Sequence, residues 1–305
     1  MLHSASAMNE FYTDYSEYMK RYFPDFKVQK ISINTGADCP NRDGTIGHGG
    51  CIYCNNTSFT PSYCFEKEGI AAQIAAGKSF FSKKYPDMRF LAYFQSFTNT
   101  YRKSVTELEE DYREALRQED VAGLIIGTRP DCLPPETVDM LARLNKEYPV
   151  FVELGVESMH DATLKIINRG HDSECSRSAI IRLADAGLHV GVHLIAGLPG
   201  ETEEMTLDTI RRICTLPVES IKLHHLQVLR DTPLYHKIKD KEISLHAFGP
   251  EEYIGFCIKA IKLIPRSVAI ERFLASSPPQ VVVSPRWGLK NYEFTNLLLN
   301  KLRNQ

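Results

Sequence analysis

The 305-residue sequence predicts an α/β protein built on six parallel strands, and three observations carry the prediction. Apolar strand-like runs alternate with helical stretches from residue 27 to 230, the pattern of repeated βαβ units. Polar and sharply turning sequences fall at the C-terminal ends of those strands, where ligands sit in doubly wound sheets and in barrels alike. A cysteine- and glycine-rich loop follows the first strand and so belongs to the same rim. Element order alone leaves open whether the sheet is doubly wound or a curved partial barrel.

Composition narrows the class. A hydrophobic share of 43% and a charged share of 24% leave room for a sizeable core. The net charge of −2 lacks the overall basic footprint of a dedicated nucleic-acid binder, though a local patch is compatible with it. Eight cysteines are too few for a disulfide scaffold at this length, and the N-terminus carries no apolar stretch of signal-peptide kind. Met8 stands as an alternative start. No apolar run reaches the roughly 20 residues that span a bilayer. The expected location is the cytoplasm, where clustered cysteines serve metal or redox chemistry.

The elements follow in order. Residues 8–22 set Phe11, Tyr12, Tyr15 and Tyr18 at helical spacing and predict a helix with a packed aromatic face. Residues 27–34 alternate as a strand. Helix 67–84 leads to strand 89–95, and helix 104–118 to strand 121–127. Helix 134–147 opens on Pro134-Pro135, which suits a first turn, and precedes strand 150–155. Helices at 160–167 and 174–187 lead to strand 190–196, and helix 201–215 leads to strand 221–228. Beyond 230 the pattern gives a short helix, a helix at 250–263, a strand at 267–273 and a helix at 290–303. The expected division is an N-terminal helical segment (1–26), a core (27–230) and a C-terminal extension (231–305).

The loop Cys39-Pro-Asn-Arg-Asp-Gly-Thr-Ile-Gly-His-Gly-Gly-Cys51-Ile-Tyr-Cys54 is the most informative stretch. Two thiolates spaced C-x-x-C reach one metal centre, and the glycines let the backbone close tightly around it. Two readings stand. His48 completes a closed Cys₃His zinc site, or the three cysteines hold a 4Fe–4S cluster with one iron open to a ligand. In the second, Tyr53 suits packing over an adenine. Cys64 is a spare ligand, a substrate-facing thiol or a small buried residue, and Cys132 ends a rim motif. Cys175, Cys214 and Cys257 read as core thiols. His224, His225 and Arg272 are candidates for substrate contact, set against a purely structural role. Arg286, Trp287 and Lys290 form an aromatic-basic cluster that suits either a nucleic acid or a packed Trp with solvated charges.

Several motifs in order carry a resemblance over nearly the whole chain: Cys39-Pro-Asn-Arg-Asp-Gly…Gly-Gly-Cys51-x-x-Cys54, Tyr93-Phe-Gln-Ser-Phe-Thr-Asn99, Gly127-Thr-Arg-Pro-Asp-Cys132, Val152-Glu-Leu-Gly-Val-Glu-Ser158, Ile167-Asn-Arg-Gly-His-Asp172, Gly197-Leu-Pro-Gly200 and Pro285-Arg-Trp287. Together they resemble the YhcC/YtqA group of the radical S-adenosylmethionine (SAM) superfamily. Most of that superfamily carries C-x-x-x-C-x-x-C; the eleven residues between Cys39 and Cys51 are a departure shared with this group. The chain is also similar to the radical-SAM half of the Elongator catalytic subunit.

The resemblance implies a partial (β/α)6 TIM-like barrel with a C-terminal α/β extension. It implies a 4Fe–4S cluster on Cys39, Cys51 and Cys54 whose open iron chelates SAM, and reductive cleavage of SAM to a 5′-deoxyadenosyl radical. By position, Gln95 and Ser96 fall where the superfamily meets the methionine amino group, without its glycines. Glu157 and Arg169 fall where related enzymes bind the ribose and the SAM carboxylate, and His193 and Ile195 near ribose and adenine. Gly127 replaces a ribose-binding carboxylate. The implied partners are an electron donor such as flavodoxin or ferredoxin and, through the Elongator likeness, tRNA carrying a wobble uridine whose side chain is modified. A small-molecule or protein substrate is the alternative, and a zinc-stabilised binding protein the alternative of a different class.

Overall fold

The computed structural model describes residues 9–55, 58, 60–64, 69–82 and 88–305. Met8 and both ends of the helix expected over 67–84 lie outside them. A short strand β1 (Thr13–Asp14) and helix α1 (Tyr15–Met19) precede β2 (Val28–Ile33). Five helix–strand units follow: α2 (Ile70–Phe81), β3 (Arg89–Phe94), α3 (Val105–Leu116), β4 (Val121–Thr128), α4 (Pro135–Asn145), β5 (Val150–Glu157), α5 (Asp161–Ile166), α6 (Ser173–Asp185), β6 (His189–Ala196), α7 (Glu203–Cys214) and β7 (Ser220–His225). The remainder holds β8 (Val228–Leu229), α8 (Pro233–Lys239), α9 (Pro250–Leu263), β9 (Ala269–Arg272), β10 (Val282–Ser284) and α10 (Asn291–Arg303).

Eight strands form one parallel sheet in the order β1-β9-β7-β6-β5-β4-β3-β2. From β2 to β7 every crossover returns to the next neighbour, so the order has no reversal of the doubly wound kind. The sheet therefore curls. Laid flat, β2 and β9 would stand six spacings apart, about 29 Å. Instead Lys30 of β2 reaches Glu271 of β9 at 2.7 Å. The result is a partial TIM-like barrel.

Alternation along the strands sorts the two faces. Phe90, Ala92, Phe94, Leu124, Ile126, Val150 and Val152 pack outward beneath the helices in the main core. Leu91, Tyr93, Ile125 and Phe151 turn inward and meet Tyr18, Met19 and Phe23, which plug the N-terminal end of the barrel. Capping reflects the sequence locally: Ser104 and Glu107 close a capping box on α3, and Thr202 caps α7.

Two expectations change. The N-terminal helix is only Tyr15–Met19, because the Asp14 carboxylate accepts from the Glu17 amide at 2.8 Å and starts the helix there. Thr13 and Asp14 instead pair with Ala269 and Ile270, and the Thr13 hydroxyl donates to the Arg266 carbonyl at 2.7 Å. The strand foreseen near 267–273 is a full member of the main sheet between β1 and β7. No helix among the described residues is long and apolar enough to cross a membrane.

Candidate active site

The C-terminal strand ends enclose a cavity of about 240 Å³. Cys39, Cys51 and Cys54 line one side, with Tyr53, Gln95, Glu157, Arg169, His193 and Ile195 around them. Ser96, the other residue singled out for cofactor contact, is 3% exposed and does not line it.

The cysteine loop folds on itself and is then latched. The Arg42 amide donates to the Cys39 carbonyl at 2.8 Å and the Gly50 amide to the Asn41 carbonyl at 2.8 Å. Gly49 and Gly50 both have left-handed backbones, with φ of 76° and 77°, which bring Cys51 back toward Cys39. From outside, Asn168 donates to the Gly50 carbonyl at 2.8 Å, Asn41 donates to the Asn168 carbonyl, and the Ile52 amide donates to Ile167 at 3.0 Å. Tyr101 donates to Asp43 at 3.0 Å, and Arg42 lies 4.4 Å over the Phe97 ring.

Arg169 and Glu157 give the cavity its charge. Arg169 is 6% exposed; its Nη1 donates to Cys51 Sγ at 3.4 Å, its Nη2 donates to the Gly155 carbonyl, and its Nε has no partner. Glu157 Oε1 lies 3.8 Å from Arg169 Nη2. The Glu157 backbone is left-handed at φ 70°, beside a register shift between β5 and β6. A glutamate held there is strained, which is characteristic of a functional position. Gly155 is the matching concession: a Cβ would sit 2.7 Å from Arg169 Nη2 and 2.8 Å from Glu157 Oε1.

Below lies a charged floor that the sequence reading missed. Glu153 accepts from Lys30 at 2.7 Å, Lys222 at 2.6 Å and Tyr93 at 2.7 Å, and meets His193 Nε2 at 2.8 Å. Glu271 meets Lys30 at 2.7 Å and Lys222 at 3.1 Å. Burial alone would raise the Glu153 carboxyl, but Lys222, Lys30 and His193 outweigh it and hold it well below the carboxylate range. Burial lowers His193, helped by Lys222 and opposed by Glu153, so its ring is neutral. His193 is thus committed to the floor as well as lining the cavity. The available signal was a lysine on the inward-facing alternate of an apolar strand, in Lys30-Ile-Ser-Ile and Ile-Lys222-Leu.

The other candidates separate. His224, His225 and Arg272 line the cavity, whereas Trp287 stacks on His225 at 4.2 Å and donates to the Phe248 carbonyl at 3.0 Å. Trp287 thus props the wall, and Arg286 and Lys290 are exposed. Cys64 is a buried thiol donating to the Ser32 carbonyl at 3.0 Å, and burial pushes it up to about 12. Cys132 is buried and off the cavity wall. Cys257 is core; Cys175 and Cys214 are only half-buried, short of the core placement expected for them.

The donor set fits a thiolate-held cluster. Although Cys54 has an exposed edge, its thiol is pushed up to about 12 by burial and then by Cys51 and Cys39. The Cys54 sulfur is thus within electrostatic reach of the other two, and a metal centre takes its cysteine ligands as thiolates. His48 is not among the residues that line the cavity, and its backbone forms an isolated antiparallel β-bridge with Asp43.

A half-barrel with a latched cysteine loop and a strained carboxylate at its rim defines an α/β enzyme of the kind that carries its chemistry on a bound cofactor. Residues 33–213 match the Radical SAM superfamily and residues 218–304 the Radical_SAM C-terminal domain. The chain belongs to the radical SAM superfamily. It is 33% identical to the uncharacterized protein YtqA of Bacillus subtilis, over 92% of this chain and 86% of that one. It is 32% identical to a tRNA uridine(34) acetyltransferase of Methanocaldococcus infernus, over 59% of this chain and 33% of that protein. The structure of Methanocaldococcus infernus Elp3 matches with a TM-score of 0.70 at 20% identity, covering 92% of this chain and 63% of that one, a likeness of fold.

Proposed function

We propose that Cys39, Cys51 and Cys54 hold a 4Fe–4S cluster and that the cavity beside them binds SAM. The observation that carries this reading is the convergence of three thiols, the Arg169 fork and the strained Glu157 on one cavity. When bound, the cluster and SAM supply a 5′-deoxyadenosyl radical for hydrogen abstraction from a substrate.

The chain's own residues bind, orient and shield. Arg169 offers its planar fork to the SAM carboxylate while steadying the Cys51 sulfur. Glu157 accepts from the ribose hydroxyls, and Tyr53 and Ile195 cover the adenine. Gln95, with Ser96 behind it, sits at the end of β3 toward the methionine amino group. His193 is held neutral by its surroundings and positions the ribose. Aliphatic and aromatic walls exclude water from the reacting carbon. The reductant is a small donor protein such as flavodoxin or ferredoxin, acting in the cytoplasm.

The substrate reading is the side chain of a tRNA wobble uridine, supported by the relative named as a tRNA uridine(34) acetyltransferase. Two experiments test the proposal separately. Anaerobic reconstitution with iron, sulfide, reductant and SAM should give a brown protein that forms 5′-deoxyadenosine, and Cys51→Ala should lose both properties. A colourless wild type, or a Cys51→Ala protein that keeps either property, refutes the cluster assignment. Nucleosides of bulk tRNA from a deletion strain should show a changed wobble uridine; an unchanged profile removes tRNA as substrate and leaves the radical chemistry standing.

A further inference from the structure

The cavity has a second wall, opposite the cysteine loop in the arc of the sheet, that the cofactor reading does not use. Arg272 comes from β9, His224 and His225 from β7, and Gln227 and Ser277 from the segments that follow those two strands. In strand order β9 and β2 stand at opposite ends of the arc, apart from the short β1. The curl of the sheet brings β9 round to β2 at the floor, and above it this wall and the cysteine loop, which follows β2, line the same cavity.

Its charge is unbalanced. Three of the four arginines lining the cavity have a carboxylate beside them: Arg42 with Asp38 at 3.8 Å, Arg129 with Asp131 at 2.7 Å, and Arg169 with Glu157 at 3.8 Å. Arg272 meets no carboxylate among the described residues; its Nη2 lies 3.5 Å from His224 Nε2. The nearby floor offers no spare negative charge, because Glu153 and Glu271 are matched by Lys30 and Lys222. His224 is neutral, held well below the ordinary histidine range by burial and then by Arg272, so its Nε2 accepts and aligns the guanidinium.

Unmet hydrogen-bonding capacity gathers at the same place. His225 is 4% exposed and its Nδ1 has no partner. Gln227 Oε1, Arg272 Nε and Ser277 Oγ are likewise buried without one. Buried polar atoms without partners cost about 1–3 kcal/mol each, and these four belong to residues that line one wall of the cavity.

We propose that Arg272, His224, His225, Gln227 and Ser277 form the subsite for an anionic group of the substrate, a carboxylate or a phosphate. A guanidinium fork grips either anion through two parallel hydrogen bonds, and the flanking hydroxyl and imidazole add donors. The proposal rests on the cavity being the active site, and it fixes how a substrate enters: anion against β7 and β9, reacting carbon toward the cysteine loop.

Isothermal titration of the anaerobically reconstituted protein with inorganic phosphate and with acetate, at constant ionic strength and pH 7, tests it. Saturable binding of one probe should weaken at least tenfold in Arg272→Gln, less in Arg272→Lys, and a few-fold in Ser277→Ala. Preference for phosphate assigns a phosphate-bearing substrate such as a nucleotide; preference for acetate assigns a carboxylic acid. No saturable binding of either probe to wild type, or equal affinity in wild type, Arg272→Gln and Ser277→Ala, overturns the subsite. The titration reads anion binding alone, so a cluster assignment that fails the Cys51→Ala test fails independently.

Discussion

The floor and the rim of this barrel are both rich in buried charge, and they handle it in opposite ways. On the floor, two lysines face two glutamates, and Tyr93 and His193 fill the remaining valences of Glu153. On the rim, Arg169, Arg272, His225 and Gln227 each keep a polar atom without a partner, and Glu157 sits in a strained backbone. Charge that is fully matched gives a fixed interior; charge left unmatched is capacity held for something else. The difference identifies which buried charges are structural when burial alone does not.

Breaking the floor should have the largest effect. Glu153→Gln leaves two buried lysines sharing Glu271, and should cost about 3–5 kcal/mol in urea unfolding. A loss below about 1 kcal/mol would mean that the floor is not a closed network.

An intermediate effect sharpens the boundary between the two regions. His225 is held at about 4 by burial and then by Arg272, below the roughly 6.5 of an unfolded histidine. Between those values the unfolded chain binds more protons, so stability must fall as pH drops from about 6.5 toward 4. The expected loss from pH 7 to pH 5 is about 2 kcal/mol for this residue. Chemical denaturation at the two values measures it, and His225→Phe should flatten that part of the slope; an unchanged slope would show that His225 does not carry it.

The smallest effect runs the other way. Glu157→Gly relieves a left-handed glutamate and should stabilise the protein by about 1 kcal/mol, while weakening SAM binding by at least tenfold. If SAM affinity survived, the strain would be unconnected with the cofactor.

Much of this was legible in the sequence. Strands β2 to β6 fall within a residue or two of their expected ends, because each is an apolar run bounded by clear turns, whereas β7 stops at His225, three residues short of the expected 228. The cysteines, Glu157 and Arg169 were legible as motifs. Pairings distant in sequence were not: β9 joins the sheet beside β7, and β1 beside β9, through contacts that no local pattern encodes. Lys30 and Lys222 show locally only as lysines on the inward-facing alternate of apolar strands; the carboxylates that they meet come from β5 and β9 and appear only in the assembled sheet. The left-handed backbone of Glu157 leaves no trace in Val-Glu-Ser, and Arg272 shows its lack of a carboxylate only once the floor is assembled.

The bridge between Lys30 and Glu271 joins residues 241 apart in the chain. At roughly 5–20 residues per second, a ribosome takes on the order of 12–50 s to separate the birth of one from the birth of the other. During that interval β2 and the cysteine loop exist without the last strand and without the wall that carries Arg272. Synthesis therefore imposes an order of assembly: the cysteine loop is made among the first residues, and the wall that carries Arg272 among the last.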